Sequence, residues 1–230
     1  MCNKANFLFK LLGDKVLNQT DLSVFVENMM DSEYEDLRYV PIQLEICNQL
    51  PESQRIEILK KGLEDSVDNV RQITGRSIVQ AEMSEASKIT LIEKVFEDPS
   101  RTVKEWFIRE MIFLPAHIQE KFQARVSPFL KEQMKDGDLY LLNVYEIPLA
   151  LIEDRLALFR TYIERFNGSP VPQIYDHLSC VPEADRAELI TIGLQHSNHE
   201  FCLAAIQAIS QASVSDREKL QHLALRRIKS

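Results

Sequence analysis

The chain has 230 residues, 45% hydrophobic and 27% charged, with a net charge of −8. This composition excludes intrinsic disorder, and the acidic balance weighs against non-specific nucleic-acid binding, which draws its affinity from neutralised phosphates. No stretch approaches the ~18 apolar residues of a membrane span, and the four scattered cysteines (Cys2, Cys47, Cys180, Cys202) form no CxxC, so a cytoplasmic protein with free thiols is expected.

In chain order, the opening MCNKANFLFKLLGDK has a short apolar run broken by Lys10 and no small-residue cleavage site. It reads as a leading segment, not a signal peptide. From about Asn18 the sequence turns periodic. MDSEYEDLR (Met30 to Arg38), LEDSVDNVR (Leu63 to Arg71) and FEDPSRTVK (Phe96 to Lys104) share an apolar residue, a polar turn with Asp, an aliphatic residue and a base. A Pro or Ser after an apolar residue recurs at Pro51, Ser84, Pro115, Pro148, Pro182 and Ser215, at steps of 33, 31, 33, 34 and 33. Pro suits the first turn of a helix and Ser its N-cap, so each site predicts the start of a helix A. Turn clusters near Asp65, Asp98, Gly137, Gly168 and Ser197 then introduce a helix B. LPESQRIEILKKGLEDS and VPEADRAELITIGLQHS match in register at an offset of 131, about four periods. One repeat domain over 1–230 is predicted, with units at 18–50, 51–83, 84–114, 115–147, 148–181 and 182–214, and a capping helix at 215–230.

Helical spacing puts Val70, Ile73, Ser77, Ile78 and Ala81 on one face. Leu37, Val70, Val103 and Phe201 share one slot and are expected in the core, as is Trp106, which aligns with Ile73. The turn Asp is expected to cap helix B. It should also pair across one repeat with the base that follows the aliphatic residue, joining Asp65 and Asp98 to Arg71 and Lys104. The fourth and fifth units, with MKDGDLYLLNVYE and FNGSPVPQIYDHL, lack the valine–base pair, and an array of this kind is expected to bend there.

The turn Asp, the aliphatic-plus-base pair and the helix-A proline together resemble HEAT repeats, in particular the short bacterial form shared with bilin-lyase-like proteins. The resemblance covers most of the chain. It implies an all-α, right-handed α-solenoid of about six HEAT-like helical hairpins with terminal capping helices. The ankyrin TPLH and tetratricopeptide tryptophan-leucine-glycine signatures are absent.

Chemistry is sparse. In HSNHEFC, His196, His199 and Cys202 have the side chains of a zinc site. They fall in a turn where polar residues are expected, and Cys202 opens a buried helix, so no metal and no cofactor is assigned. The phosphate-loop, dinucleotide-binding, GxSxG and HExxH motifs are missing, and no catalytic residue is assigned. The expected function is therefore a non-enzymatic protein–protein interaction module: an adaptor, scaffold or regulatory subunit. It would hold a protein or peptide in a concave groove by Tyr39, Gln43, Gln72, Arg76, Glu105 and Arg109 of successive B helices. The alternative is a HEAT-like enzyme or ligand handler, bilin-lyase-like or DNA-glycosylase-like. In the glycosylase reading, Arg38, Arg71, Lys104 and Trp106 join Arg76 and Arg109 at the groove.

Overall fold

Helices restart directly after Pro51, Ser84, Pro115 and Pro182, and the last helix begins at Val214, so that Ser215 falls within its first turn. The computed structural model describes residues 19–136, 144–165 and 172–229, among which every regular element is helical and no strand occurs. The expected turns at Gly137 and Gly168 lie outside the described residues. The chain packs as two compact units, Met1–Ile118 and Gln119–Ser230.

The first unit contains α1 (Gln19–Met30), α2 (Glu35–Arg38), α3 (Leu44–Cys47), α4 (Glu52–Leu63), α5 (Asp68–Gln80), α6 (Glu85–Phe96) and α7 (Arg101–Glu110), which tightens into a 3-10 turn at Met111–Phe113. Pro51 and Ser84 are the N-caps of α4 and α6. A helices pack on A helices, α1 against α4 and α4 against α6, while α5 packs on α7 and on both of its flanking A helices. Val70 and Val103 are fully buried in the shared slot. Leu37 is not: α2 buries no residue, because the first helix B is broken into α2 and α3. Pro41 lies between the pieces, and it both lacks an N–H and disfavours helical backbone at Val40. Gly62 of α4 lets the hairpin close, since a Cβ there would overlap the Thr74 hydroxyl of α5.

The second unit holds most of α8 (Ala116–Asp136), a 3-10 segment at Val144–Leu149, α9 (Ile152–Arg165), a 3-10 segment at Pro172–Cys180, α10 (Glu183–Gln195), α11 (His199–Ala208) with a 3-10 turn at Ile209–Gln211, and α12 (Val214–Lys229). Stacking again joins like to like: α9, α10 and α12 form one row, and the two 3-10 segments and α11 form the other. Phe201 of α11 is fully buried, as its slot requires. Pro148 does not start a helix A. It lies within the 3-10 segment, and the helix begins at Ile152, after Leu151 N–H donates to Ser127 Oγ of α8 at 2.5 Å. The shift follows from α8, whose 21 residues use up part of the repeat length that a turn and a helix B would occupy.

Candidate functional site

The motif of turn Asp, aliphatic residue and base is a clamp between neighbouring hairpins. Arg38 Nε donates to Asp65 Oδ2 at 2.7 Å and its Nη2 to Asp65 Oδ1 at 3.0 Å. One repeat on, Arg71 Nε donates to Asp98 Oδ2 at 2.7 Å and its Nη2 to Asp98 Oδ1 at 3.3 Å. The same guanidinium closes its own turn, Arg38 Nη1 on the Ser32 carbonyl at 2.9 Å and Arg71 Nη1 on the Asp65 carbonyl at 2.8 Å. Bidentate Arg–carboxylate pairing of this kind fixes geometry as well as charge. The Asp is not the N-cap of helix B. It sits earlier in the turn, where Asp65 Oδ1 accepts from Val67 N–H at 2.9 Å and Asp98 Oδ1 from Ser100 N–H at 2.8 Å. Hydrogen bonding to Asp98, and then to Asp68, holds the Arg71 guanidinium above its ordinary pKa against the opposing effect of burial. Lys104, the third base of the row, pairs with no turn Asp among the described residues; the turn that would follow it, near Gly137, lies outside them.

Further rungs lie on the surface. Lys94 meets Glu64 at 3.2 Å, and its equivalent Lys61 meets Asp31. Glu52 Oε1 accepts from Ser84 N–H at 2.9 Å, and His117 Nε2 stands 2.8 Å from Glu85 Oε2. A second recurring base, matched in the sequence at Arg55 and Arg186 but assigned no role there, is the fourth residue of four A helices. Arg55, Arg155, Arg186 and Arg217 turn back onto the carbonyl of Leu50, Ala150, Val181 and Ala212, at 2.9 to 3.0 Å. Arg155 also reaches the Cys180 carbonyl at 2.8 Å and Arg186 the Gln211 carbonyl at 3.3 Å, tying the start of helix A to the end of the same hairpin. These arginines satisfy carbonyls that helix ends leave without partners. Their spacing was readable in the sequence; the carbonyl targets were not.

The B-helix residues proposed to hold a partner fall into different settings. Tyr39 and Gln43 flank the break between α2 and α3 and are half-buried; Tyr39 Oη donates to Asp36 Oδ1 at 3.3 Å and accepts from Asn69 Nδ2 at 3.4 Å. Gln72 is half-buried on α5. Glu105 is held by Arg101 at 2.9 Å, with its side chain 13% exposed. Arg76 is 65% exposed, with Nε 3.8 Å from Glu110 Oε1 of α7. Arg109 lies over the Trp106 ring, 5.3 Å from its centroid. Trp106 is not core: it is 48% exposed, and Phe113 beyond it is 66% exposed. Along the row Val40, Ile73, Trp106 the side chain passes from buried to half-buried to exposed, because α7 buries Val103, Phe107 and Ile108 and leaves Trp106 on its flank. Arg76 of α5, Trp106 and Arg109 of α7 and Phe113 of the 3-10 turn that follows thus supply aromatic and basic side chains at one region of the first unit, with Glu110 beside Arg76.

The HSNHEFC side chains have local partners. His196 Nδ1 accepts from Asn198 N–H at 3.0 Å and its ring tilts on Phe201 at 4.6 Å, while Asn198 Oδ1 caps α11 through Glu200 N–H at 2.9 Å. Cys202 is buried with Sγ 3.8 Å from the Leu194 carbonyl. Among the described residues, no group of three or more His, Cys, Asp or Glu is arranged to hold a metal, and no helix is long and apolar enough to cross a membrane. No family model, curated protein or solved structure matches this chain.

Proposed function

We propose that the chain is an interaction module, each compact unit a short right-handed HEAT-like stack, and that its working surface is the B-helix face of α5 and α7. The observation that carries this reading is the exposure of Arg76, Trp106 and Phe113, with the half-buried Arg109 over the Trp106 ring. Trp and Arg supply a disproportionate share of binding energy at protein interfaces. An exposed Trp with a guanidinium over its face is a ready anchor for an apolar side chain flanked by acids. The Arg71–Asp98 clamp ties the start of α5 to the turn that leads into α7 and so positions the two helices of this surface.

The test is affinity purification of the intact chain, with mass analysis of what co-purifies. Binding is then measured for Trp106→Ala and for the double variant Arg76→Glu, Arg109→Glu. Loss of the partner with unchanged helicity supports the reading. A double variant that keeps every partner at wild-type strength removes this face from consideration. A chromophore or nucleic acid in the preparation would favour the ligand-handling alternative.

A further inference from the structure

The seam between α11 and α12 is flanked by two grooves. The larger, ≈ 590 Å³, is lined by Ile206, Ile209, Ala224, Leu225 and Ile228 together with Arg217. The smaller, ≈ 270 Å³, shares Ile206 and Ile228 and adds Leu203 and Arg227. Leu203, Leu225 and Ile228 are 45%, 54% and 68% exposed. Single exposed aliphatic side chains are ordinary, but a contiguous apolar strip along a groove marks a binding surface.

Two observations say what fits there. The first is geometric. α11 is a B helix and α12 is the A helix that follows it. In the first compact unit the corresponding pair is α5 and α6, and its seam is occupied by α7. Phe107 of α7 lies against Gly75 of α5, where a Cβ would stand 3.2 Å from its ring, and meets Phe96 of α6 edge to face with ring centroids 5.7 Å apart. The repeat therefore builds this seam to receive an amphipathic helix. The second observation is charge. Among the described residues lining the two grooves there is no Asp or Glu, and the formal charges are Arg217 and Arg227, in a chain of net charge −8. Arg217 Nε is anchored on the Ala212 carbonyl at 3.0 Å and Arg227 Nη2 on the His196 carbonyl at 3.4 Å, so both cations are held at the groove.

We propose that the α11–α12 seam docks an amphipathic helix of another polypeptide, one that carries carboxylates beside its apolar stripe. The helix lies with apolar side chains at i, i+3, i+4 and i+7 on Leu203, Ile206, Leu225 and Ile228, and its acids face Arg217 and Arg227.

The probe is a fluorescein-labelled synthetic helix with Leu at those spacings and Glu on both flanks, titrated with the full chain and followed by anisotropy. A matched peptide with Lys flanks is the control. The Glu peptide should saturate and the Lys peptide bind at least about tenfold more weakly, with the difference shrinking as salt rises. Leu225→Glu with Ile228→Glu should lower the affinity for the Glu peptide at least about tenfold, with circular dichroism unchanged because both positions are exposed. An affinity that Arg76→Glu lowers as much as the Leu225 and Ile228 changes do would place the peptide on the α5–α7 face and overturns the proposal. Equal binding of both peptides, or binding that survives the Leu225 and Ile228 changes, overturns the proposal. So does a dimer in sedimentation equilibrium that these two changes dissociate, since the occupant is then a second copy of the chain.

Discussion

Arg71 and Asp98 are joined edge to edge across two hairpins, with their side chains 10% and 4% exposed. A pair this dry contributes little over an apolar pair of equal volume, but loss of one partner costs the other its main counter-charge. Asp98→Ala should therefore be clearly destabilising, yet below the ~3–5 kcal/mol of a fully stranded charge, because Asp68 Oδ1 still meets Arg71 Nη2 at 2.7 Å. The double change Arg71→Met, Asp98→Leu should cost clearly less than that single change, although Arg71 also holds the Asp65 carbonyl. Urea unfolding of the two variants measures this. A single variant with wild-type stability would show that the clamp is ornamental.

Asp65 makes the other clamp a source of acid sensitivity. Burial pushes its carboxyl pKa up, but the Arg38 guanidinium and the Val67 N–H outweigh that and hold it below the usual range. A carboxyl whose folded pKa is depressed contributes stability that is fully present above the unfolded value of ~3.9 and is lost as pH falls through the folded value. Urea midpoints should fall between pH 5 and pH 3, and Asp65→Asn should start lower and fall less. Identical pH profiles for the two proteins would refute the link.

His177 acts in a different pH range. Burial lowers its pKa, opposed by the neighbouring Asp176 carboxylate, and its ring meets Tyr145 edge to face at 4.9 Å. A base whose folded pKa is depressed supports the fold fully above its unfolded value of ~6.5, and this support declines as pH drops below it. The melting temperature should decrease from pH 7.5 to pH 5.5, and His177→Phe, which keeps an aromatic ring against Tyr145, should flatten that slope. A slope unaffected by the substitution would place the sensitivity elsewhere.

What the sequence disclosed follows from what repeats. The marks at Pro51, Ser84, Pro115 and Pro182 predicted helix starts because local backbone chemistry decides them, and α4, α6, α8 and α10 begin directly after these residues. Val70, Val103 and Phe201 are buried because one slot is reused in successive hairpins. The reading failed where a neighbour's geometry intrudes. Alignment put Trp106 in the core, but its register slot opens along the row. Pro148 mimicked a helix start, but α8 is long and the next A helix is displaced to Ile152. The α5–α7 surface was half legible: Arg76 and Arg109 were found by spacing, Trp106 stood beside them only in the glycosylase reading while its register put it in the core, and Phe113 was not placed there, because apolar residues at helical spacing do not say which face is covered.

Gly193 offers the sharpest test of hairpin packing. It lies on α10, and a Cβ there would overlap the Tyr175 hydroxyl and stand 2.7 Å from Tyr175 Cζ and 2.8 Å from the Ala205 Cβ of α11. Tyr175 is 3% exposed and its hydroxyl is 3.5 Å from the Leu189 carbonyl, so the ring has little room to retreat. In a helix interior, Gly→Ala alone stabilises by about 0.5–1 kcal/mol, because Gly is the more costly residue to order. Overpacking a close helix contact costs about 1–3 kcal/mol, sometimes more, so the clash should win. Gly193→Ala is thus expected to destabilise the protein. Adding Tyr175→Phe should recover part of the loss and not all of it, since removing the hydroxyl leaves Cζ and the Ala205 methyl in place. Thermal or urea unfolding of the single and double variants decides the matter. A Gly193→Ala protein more stable than wild type would mean that α10 and its neighbours are not packed this closely.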